Sequence, residues 1–504
     1  MRPRIYGTET EYALHYRTGG ESSETWDEEE LARHFEEGAS LIGEAAQEVV
    51  APAAGEFLGN GGRFYLDRGG HPEYATPECS SVFDLVAHEQ AGDRLMLEIA
   101  RKAQARLRRE GRPATLSVFK NNADFHGNSY GSHENYLVTP RASDRLETLI
   151  PFLATRQVFA GTGKVSVPGR SGDVAYQVSQ RADFFGCVFN DRASGERGII
   201  HTRKREVHQP GENRRLHIIV GDSNLSEAAM ALKIGSTGLV LRVLEEGRIE
   251  GLPQLCSPVD ALKMVSRDPG QRLEIQGKRA GRTALEIQSA YLERVQRTLG
   301  RGKLNGEETR VLEVWSRMLE GLSRVRFSPK AGILEDDPGD VRRQVDWVLK
   351  LWVLSRADAE GTGDGGCAGS ARRRQIDLRY HDLDPRKSIF ARCRELGLTD
   401  RVVEEADVQR ARVDPPRNTR AWTRGVLIRD MVERKVEVRV ATWDRLRLGG
   451  TGRGAECTPF FASCGRRAPP VDVKLDDPFD AEDPARRPEV REFIAAWEGG
   501  GSDV

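Results

Sequence analysis

A short charged stretch, Gly61 to Glu78, constrains the fold of this 504-residue chain more than any other feature. It reads GGRFYLDRGGHPEYATPE and opens as a strand, in which alternate side chains face opposite sides of a sheet. Arg63, Tyr65 and Asp67 therefore share one face, and the apolar residues between them take the other. A glycine turn then brings Glu73 back towards the same region. This charged face is either a functional site or the polar side of an ordinary half-exposed strand.

A second strand pattern, RIYGTETEYALHY, runs from Arg4 to Tyr16. Its alternation places Glu9 and Glu11 on one face. Two carboxylates on one strand face repel each other unless a cation lies beside them. A metal ion is the simplest such cation. The alternative is that Glu11 forms an ordinary salt bridge while Glu9 faces water.

Two further segments combine strand patterns with dense polar side chains. KNNADFHGNSYGSHENYL holds His133 between polar neighbours, and RRLHIIVGDSNLSE places Arg215 and His217 on one strand face. Polar groups beside buried strands need ligands or partners. Both segments are expected to contribute to a site, the alternative being structural histidines. In the basic run that precedes the second segment, Arg203 is a candidate phosphate contact, the alternative being a solvated loop.

The composition excludes several classes of partner. With 76 basic and 77 acidic residues, the chain has no global field that attracts nucleic acid or an anionic membrane. Its seven cysteines are scattered and form no CxxC pair, which favours reduced thiols over a disulfide framework. We find no run of about 18 apolar residues and no apolar leader. We therefore expect a cytoplasmic protein with no nucleic-acid or membrane partner.

Helical periodicity and turn signals organise the rest of the chain. Helices are predicted at about 27–50, 81–110, 144–159, 224–246, 283–299, 307–322 and 341–354. Asn224, with an acidic residue three positions later, is the expected cap of its helix. Further strands are expected at 115–119, 174–181, 184–189 and 376–384. Pro415-Pro416 looks like a domain joint, followed by a smaller α+β unit.

The combined side chains predict nucleotide chemistry. The oxygen and nitrogen donors are Glu9, Glu11, Tyr65, Asp67, Glu73, His133 and His217, and the cations for anionic groups are Arg63, Arg203 and Arg215. Oxygen-rich sets suit Mg²⁺, which bridges nucleotide phosphates. The chain lacks a P-loop, because GTGK at 161–164 has neither the earlier glycine nor the following hydroxyl. ATP on an open antiparallel sheet, activating a carboxylate by phosphoryl transfer, is the resulting hypothesis.

Several blocks of the chain resemble the Pup ligase and Pup deamidase family, relatives of glutamine synthetase and the glutamate-cysteine ligases. They are GTETEY, GGRFYLDRGGHPEYATPEC, KNNADFHGNSYGSHENYL, PFLATRQ, SQRADF, RRLHIIVGDSNLSE and DWVLK. The resemblance covers nearly the whole chain. It implies an α+β fold with a glutamine synthetase-like catalytic domain, residues 1–412, whose curved antiparallel sheet is packed by helices. A small C-terminal α+β domain, residues 413–504, completes it.

The resemblance also implies residue roles. The residues that match magnesium-binding positions are Glu9, Tyr65 and Glu73. Those that match ATP-contacting positions are Arg63, Thr76 and Trp443. Asp67 matches the catalytic base. Those that fall in matching blocks, and are expected to contact metal or phosphate, are His133, Arg203 and His217.

Two activities are known on this scaffold. The ligase activates the C-terminal glutamate of Pup, or of a Pup-like modifier, and joins it to a substrate lysine, whereas the deamidase hydrolyses a C-terminal glutamine or the isopeptide bond. Deamidases carry a long insertion after the first strand, but here Glu9 and Asp67 are only 58 residues apart. This favours the ligase, although SHENY resembles the deamidase branch. A catalytically silent modifier-binding scaffold and a ligase for small amines remain as alternatives.

Overall fold

A computed structural model describes residues 4–18, 37–38, 40–42, 57–67, 69–112, 114–124, 127–166, 175–191, 196–202, 213–328, 333–360, 367–449 and 468–499. The candidate phosphate contact Arg203 lies outside these ranges, as does nearly all of the helix predicted at 27–50.

The strands are β1 (Tyr6–Glu11), β2 (Ala13–Thr18), β3 (Arg63–Leu66), β4 (Pro72–Ala75), β5 (Ala114–Phe119), β6 (Ser132–Val138), β7 (Lys164–Val165), β8 (Tyr176–Gln177), β9 (Phe185–Asn190), β10 (Arg197–His201), β11 (Arg214–Ile218), β12 (Phe327–Ser328), β13 (Ile333–Leu334), β14 (Val438–Thr442), β15 (Arg445–Leu448) and β16 (Val471–Lys474).

The helices are α1 (Val82–Arg109), α2 (Pro140–Ser143), α3 (Ile150–Thr155), α4 (Gln157–Ala160), α5 (Glu227–Glu246), α6 (Pro258–Ser266), α7 (Ala284–Lys303), α8 (Gly306–Leu322), α9 (Asp340–Gln344), α10 (Asp346–Glu360), α11 (Cys367–Tyr380), α12 (Ile389–Glu395), α13 (Glu405–Val413), α14 (Arg420–Glu433) and α15 (Pro488–Gly499). Short 3-10 turns lie at Leu146–Leu149, Ala182–Phe184 and Pro484–Arg486.

The main sheet has seven strands in the order β3-β4-β1-β6-β11-β10-β9. Every neighbouring pair is antiparallel except β9 and β10, which run parallel. The predicted α+β class, with an antiparallel sheet packed by helices, is confirmed. Strand β1 lies inside this sheet, so both of its edges are paired and its outward face is flanked by side chains from β4 and β6.

Strand β1 shows the predicted alternation. Tyr6, Thr8 and Thr10 are buried, whereas the residues between them, including Glu9 and Glu11, are less so. The single strand predicted over residues 4–16 is wrong in its extent, because the chain changes partners at the residue after Glu11. Strand β1 pairs with β4 and β6, whereas β2 pairs with β5 in a separate ladder.

Helix α1 covers the back of β1 and β5. It matches the predicted helix. It begins after Ser81 because the Ser81 hydroxyl caps the first turn by accepting the N–H groups of Phe83 and Asp84. Its apolar stripe, which includes Leu85 and Ile99, is fully buried. Each such side chain contributes about 1.5–3 kcal/mol on burial, so α1 holds the strand that carries the site.

Two local predictions are wrong. Helix α5 is capped by Ser226 rather than Asn224, whose amide instead donates to a carbonyl and a carboxylate in the interior. The strand predicted at 376–384 is largely helix α11 and the turn after it. Helical spacing there brings Asp377 and His381 onto the buried Lys350 ammonium, a contact that overrides the local strand pattern.

Two helix predictions and one strand prediction change in extent. The helix predicted at 144–159 is broken into a 3-10 turn followed by α3 and α4, and the strand predicted at 174–181 is only the two-residue β8. The helix predicted at 341–354 is divided into α9 and α10 at Val345, which has extended backbone angles. The predicted helices at 81–110, 283–299 and 307–322 are confirmed as α1, α7 and α8.

The C-terminal residues form a three-stranded sheet, β14-β15-β16, packed by α14 and α15. Its hydrophobic cluster includes Leu427, Val438 and Phe493. Phe57, from the N-terminal part of the chain, belongs to the same cluster. The division between residues 412 and 413 remains a prediction. Among the described residues, no helix is both long and apolar enough to span a membrane.

Candidate active site

The sheet register brings the predicted magnesium ligands onto one face of three neighbouring strands. Glu9 of β1 lies opposite Ala75 of β4, and Glu11 lies opposite Glu73. Glu73 in turn lies opposite Tyr65 of β3. Glu9 and Glu73 are therefore diagonal neighbours, a relation that corresponds to roughly 7–8 Å in antiparallel pairs. This spacing allows one ion, or a pair of ions, to be shared between them.

Glu9 is held by cationic and polar side chains from β6 and β11. Arg215 Nη2 donates to Glu9 Oε1 at 2.6 Å and Asn135 Nδ2 donates to the same oxygen at 3.0 Å. His133 Nδ1 lies 3.2 Å from Oε2. Burial raises the pKa of Glu9, but Arg215 and His217 outweigh it and hold the pKa well below its usual value. Glu9 is therefore a fixed carboxylate at neutral pH.

The two predicted histidines stand beside Glu9. Ligand atoms of Glu9, His133 and His217 all lie within 4.8 Å of one another, and the two imidazole rings meet edge to face. His217 is 3% exposed, and neither ring nitrogen makes a hydrogen bond within the described ranges, although Nε2 is 3.5 Å from Glu9. Burial lowers the pKa of His217 to about 4. A neutral imidazole with buried, unbonded nitrogens needs a ligand.

Tyr65 and Glu73 form the second part of the site. The Tyr65 hydroxyl hydrogen-bonds the Glu73 carboxyl group, which is only 4% exposed. Burial and the nearby Glu9 charge raise the pKa of Glu73. Burial, followed by Glu9 and Glu73, likewise raises the pKa of Tyr65. Negative charge on this face is thus under-compensated by protein groups alone.

Asp67, the predicted base, lies at the end of β3 and faces the rim of the site. Its Oδ1 accepts the backbone N–H groups of Gly69 at 2.8 Å and His71 at 2.7 Å. These bonds fix the carboxyl group across the glycine turn. Burial, followed by the charge of Glu11, raises its pKa. Asp67 is half-buried and is not turned into the apolar interior.

The predicted nucleotide contacts lie beside the predicted metal ligands. The Arg63 guanidinium lies 4.2 Å over the Tyr65 ring and 5.5 Å from the Phe57 ring. Trp443, in the turn between β14 and β15, also packs on Phe57, edge to face with the ring centroids 5.1 Å apart. Thr76 is buried, and its hydroxyl accepts the N–H of Thr8 at 2.9 Å. At the end of β3, Leu66 is 37% exposed, because β3 is the edge strand of the sheet.

The donor set fits a divalent cation. The unprotonated nitrogen of the neutral His217 ring can bind a cation, and the crowded carboxyl groups of Glu9 and Glu73 call for positive charge at this face. The oxygens of Glu9, Tyr65 and Glu73 suit Mg²⁺ better than the imidazole nitrogens do, since Mg²⁺ prefers oxygen ligands.

Sequence reasoning misses Arg181, which lies within the SQRADF block. Its guanidinium is 2% exposed and donates to the carbonyls of Ile219 and Gly221 at 2.6 and 3.1 Å. Among the described residues it forms no salt bridge, and burial lowers its pKa to about 10 despite the nearby Glu11 charge. A single arginine gives no periodic signal, so only the tertiary structure reveals a buried cation beside the site.

Comparisons with known proteins show the family to which the chain belongs. Residues 4–447 match the family model described as Pup-ligase protein. A Pup–protein ligase from Kribbella flavida is 38% identical over 475 residues, which are 93% of this chain and 98% of that protein.

Two solved structures resemble the chain closely. The crystal structure of the complex between prokaryotic ubiquitin-like protein Pup and its ligase PafA aligns with a TM-score of 0.80 and 32% identity, over 99% of this chain and 93% of that one. The structure of the Pup ligase PafA in complex with ADP aligns with a TM-score of 0.72 and 31% identity, over 90% and 93%. On the family match and the identity to these relatives, the chain belongs to the Pup ligase family.

Proposed function

We propose that this protein is an ATP-dependent ligase that joins the C-terminal glutamate of Pup, or of a Pup-like modifier, to a lysine of a protein substrate. The relative from Kribbella flavida bears the name Pup–protein ligase, and the similar PafA structures contain Pup or ADP. The observation that carries the proposal is the convergence of Glu9, Tyr65 and Glu73 on one sheet face, with Asp67 at its rim.

The proposed ligand roles follow from charge and position. Glu9, Tyr65 and Glu73 hold Mg²⁺, which when bound neutralises charge on the nucleotide phosphates. The residues proposed to contact ATP are Arg63, Thr76, Arg203 and Trp443. The residues proposed to contact metal or phosphate are His133 and His217.

The reaction explains the placement of Asp67. A modifier carboxylate oxygen attacks the γ-phosphorus of ATP, ADP leaves, and an acyl phosphate forms. The lysine amine then attacks the acyl carbon and phosphate leaves, which gives the isopeptide bond. An unperturbed lysine has a pKa of about 10.4, so its ammonium must lose a proton before attack. Asp67 accepts that proton, and its raised pKa makes it a stronger base than an ordinary aspartate.

We also propose that the protein acts in the cytoplasm and that the chain divides into a catalytic unit, residues 1–412, and a small unit, residues 413–504. The described cysteines Cys79, Cys187, Cys256 and Cys393 are free thiols, in keeping with a reducing compartment.

Intact-mass measurement tests the function directly. The protein is incubated with ATP, Mg²⁺, a Glu-ended modifier and a lysine-bearing protein, and the proposed ligase produces an adduct that has lost one water. Asp67→Asn should abolish adduct formation while ADP still binds in calorimetry. Asp336→Asn is the control, because this aspartate is exposed and its ion pair is with the similarly exposed Arg326. Near-wild-type conjugation by Asp67→Asn would remove Asp67 from its role, and ammonia released from a Gln-ended modifier would favour the deamidase.

A further inference from the structure

The fully buried Arg424 of α14 ties together three separate parts of the chain. Its Nη2 donates to the carbonyl of Gly61 at 2.7 Å, and its Nη1 donates to the carbonyl of Trp443 at 2.7 Å. Both nitrogens also bond the carboxylate of Glu78, and the Nη1 contact is 3.2 Å. One guanidinium therefore holds three loop segments together.

These three attachment points lie next to the proposed nucleotide contacts. Gly61 is two residues before Arg63, and Glu78 is two residues after Thr76. The guanidinium also lies 4.9 Å over the ring of Trp443. Arg424 is the only described side chain that hydrogen-bonds both the Gly61 and the Trp443 carbonyls.

Helix α14 is packed too closely on the 59–61 turn to be displaced without loss of this contact. A Cβ on Gly425 would lie 2.6 Å from the carbonyl oxygen of Gly59. Gly61 has a φ of +81°, and a Cβ there would lie 3.0 Å from the carbonyl oxygen of Ala421. At the start of the helix, the Thr419 hydroxyl donates to the Glu78 carbonyl at 2.7 Å. The helix and the turn therefore form one interlocked joint.

The Glu78 carboxyl group in this joint stays ionised and paired with arginine at neutral pH. Burial raises the pKa of Glu78, but Arg424 and then Arg420 outweigh it and lower the pKa to about 2. Arg420 binds the same carboxylate, with its Nε at 2.7 Å from Oε1, but its other bond goes to the carbonyl of Leu475. Arg420 thus shares the charge of Glu78 without reaching Gly61 or Trp443.

We propose that Arg424 is a positioning residue that holds Trp443 of the C-terminal unit against the strand ends that carry Arg63 and Thr76. Nucleotide binding and docking of α14 with the β14–β15 turn are then coupled, and by linkage each strengthens the other. This inference rests on the proposed function, because it assumes that the nucleotide contacts both Trp443 and the strand residues.

Variants of the full chain test the coupling. Arg424→Met should weaken ADP binding in calorimetry by at least about tenfold and raise the KM for ATP in step, while kcat changes less. Arg424→Lys should be intermediate, because one ammonium cannot reproduce the fork between two carbonyls. The matched control Arg420→Gln should bind ADP within about twofold of wild type, because Arg424 keeps its bonds to Glu78, Gly61 and Trp443.

The outcomes separate the inference from the proposed function. Wild-type protein that fails to bind ADP overturns both. If the wild type binds ADP and a folded Arg424→Met binds it equally well, the inference alone is overturned. The same holds if Arg420→Gln loses as much ADP affinity as Arg424→Met. If Arg424→Met does not fold, Arg424→Lys and hydrogen exchange of the wild type decide. ADP should slow exchange in residues 420–448, and exchange that is unchanged there contradicts the coupling.

Discussion

The two faces of β1 differ in how far the protein itself neutralises the charged groups beside them. On the back face, the hydroxyls of Thr8 and Thr10 each donate to Glu89 at 2.6 Å. The Lys120 ammonium lies 3.0 Å from Glu89 and 2.9 Å from Asp93. Burial lowers the pKa of Lys120, but the two carboxylates outweigh it and raise the pKa overall. The back face is a closed network between the strand, α1 and β5.

The front face is not closed in this way. Glu9 is paired with Arg215, but Glu73 has a raised pKa and both nitrogens of His217 lack hydrogen bonds within the described ranges. Burial without internal satisfaction is costly for stability. One strand therefore serves two purposes: its back residues hold the fold, and its front residues are arranged for a ligand that supplies positive charge.

The largest effect should follow from Glu9→Gln on the front face. Loss of this carboxylate removes a proposed magnesium ligand, and the conjugation rate should fall by about 10²–10³ or more. Stability should fall as well, because the amide loses the ion pair with Arg215 that holds the pKa of Glu9 below its usual value. The rate is measured by intact mass and stability by chemical denaturation. Conjugation close to the wild-type rate would show that the front face does not serve the chemistry.

Lys120→Met should have the largest effect on the back face. It leaves Glu89 and Asp93 as uncompensated buried carboxylates, and breaking such a network costs about 3–5 kcal/mol of unfolding free energy. Urea denaturation measures the loss, with the exposed Lys278→Met as the matched control. A loss no greater than that of the control would contradict the structural role of this face.

Glu73→Gln should raise the free energy of unfolding, whereas Lys120→Met lowers it. The pKa of Glu73 is higher in the folded than in the unfolded state. Without Mg²⁺, the free energy of unfolding therefore falls as the pH rises from the ordinary pKa of a glutamate through the raised pKa of Glu73. The neutral amide escapes this loss, and at pH 8 the metal-free variant should be more stable than wild type by about 1–2 kcal/mol. Thermal unfolding in chelator at pH 5 and pH 8 measures the effect. A variant that is less stable at pH 8 would mean that Glu73 is satisfied within the protein.

The smallest effect should follow from Thr10→Val on the back face. It removes one hydroxyl bond to Glu89 while keeping the β-branched shape, and should cost about 1 kcal/mol. Conjugation should remain at the wild-type rate, because the back face does not touch the ligand. A tenfold loss of activity in a stable variant would break the distinction between the two faces.

Local sequence patterns predict which side chains of one strand share a face. They do not predict the order in which the strands pair in the sheet. The alternation of Glu9 and Thr10 follows from the two-residue period of any strand, so both faces of β1 are readable from sequence. The exposure of Leu66 cannot be read from its own strand, because it depends on the strand order, which places β3 at the sheet edge.

Contacts between distant segments were beyond local reasoning. The bond from Arg424 to Gly61 joins residues 363 positions apart, and Arg181 is buried only because several segments close over it. The predicted roles of Glu9, Glu73 and Asp67 came from the family resemblance. The structure adds the register that brings them together.

Anomalous diffraction from crystals grown with ADP and Mn²⁺ in place of Mg²⁺ would locate the metal on the front face of β1. We expect a manganese peak within about 2–2.5 Å of oxygens from Glu9, Tyr65 or Glu73, between the nucleotide phosphates and this face. A peak bound elsewhere, with these carboxyl groups still in contact only with protein atoms, would contradict this expectation.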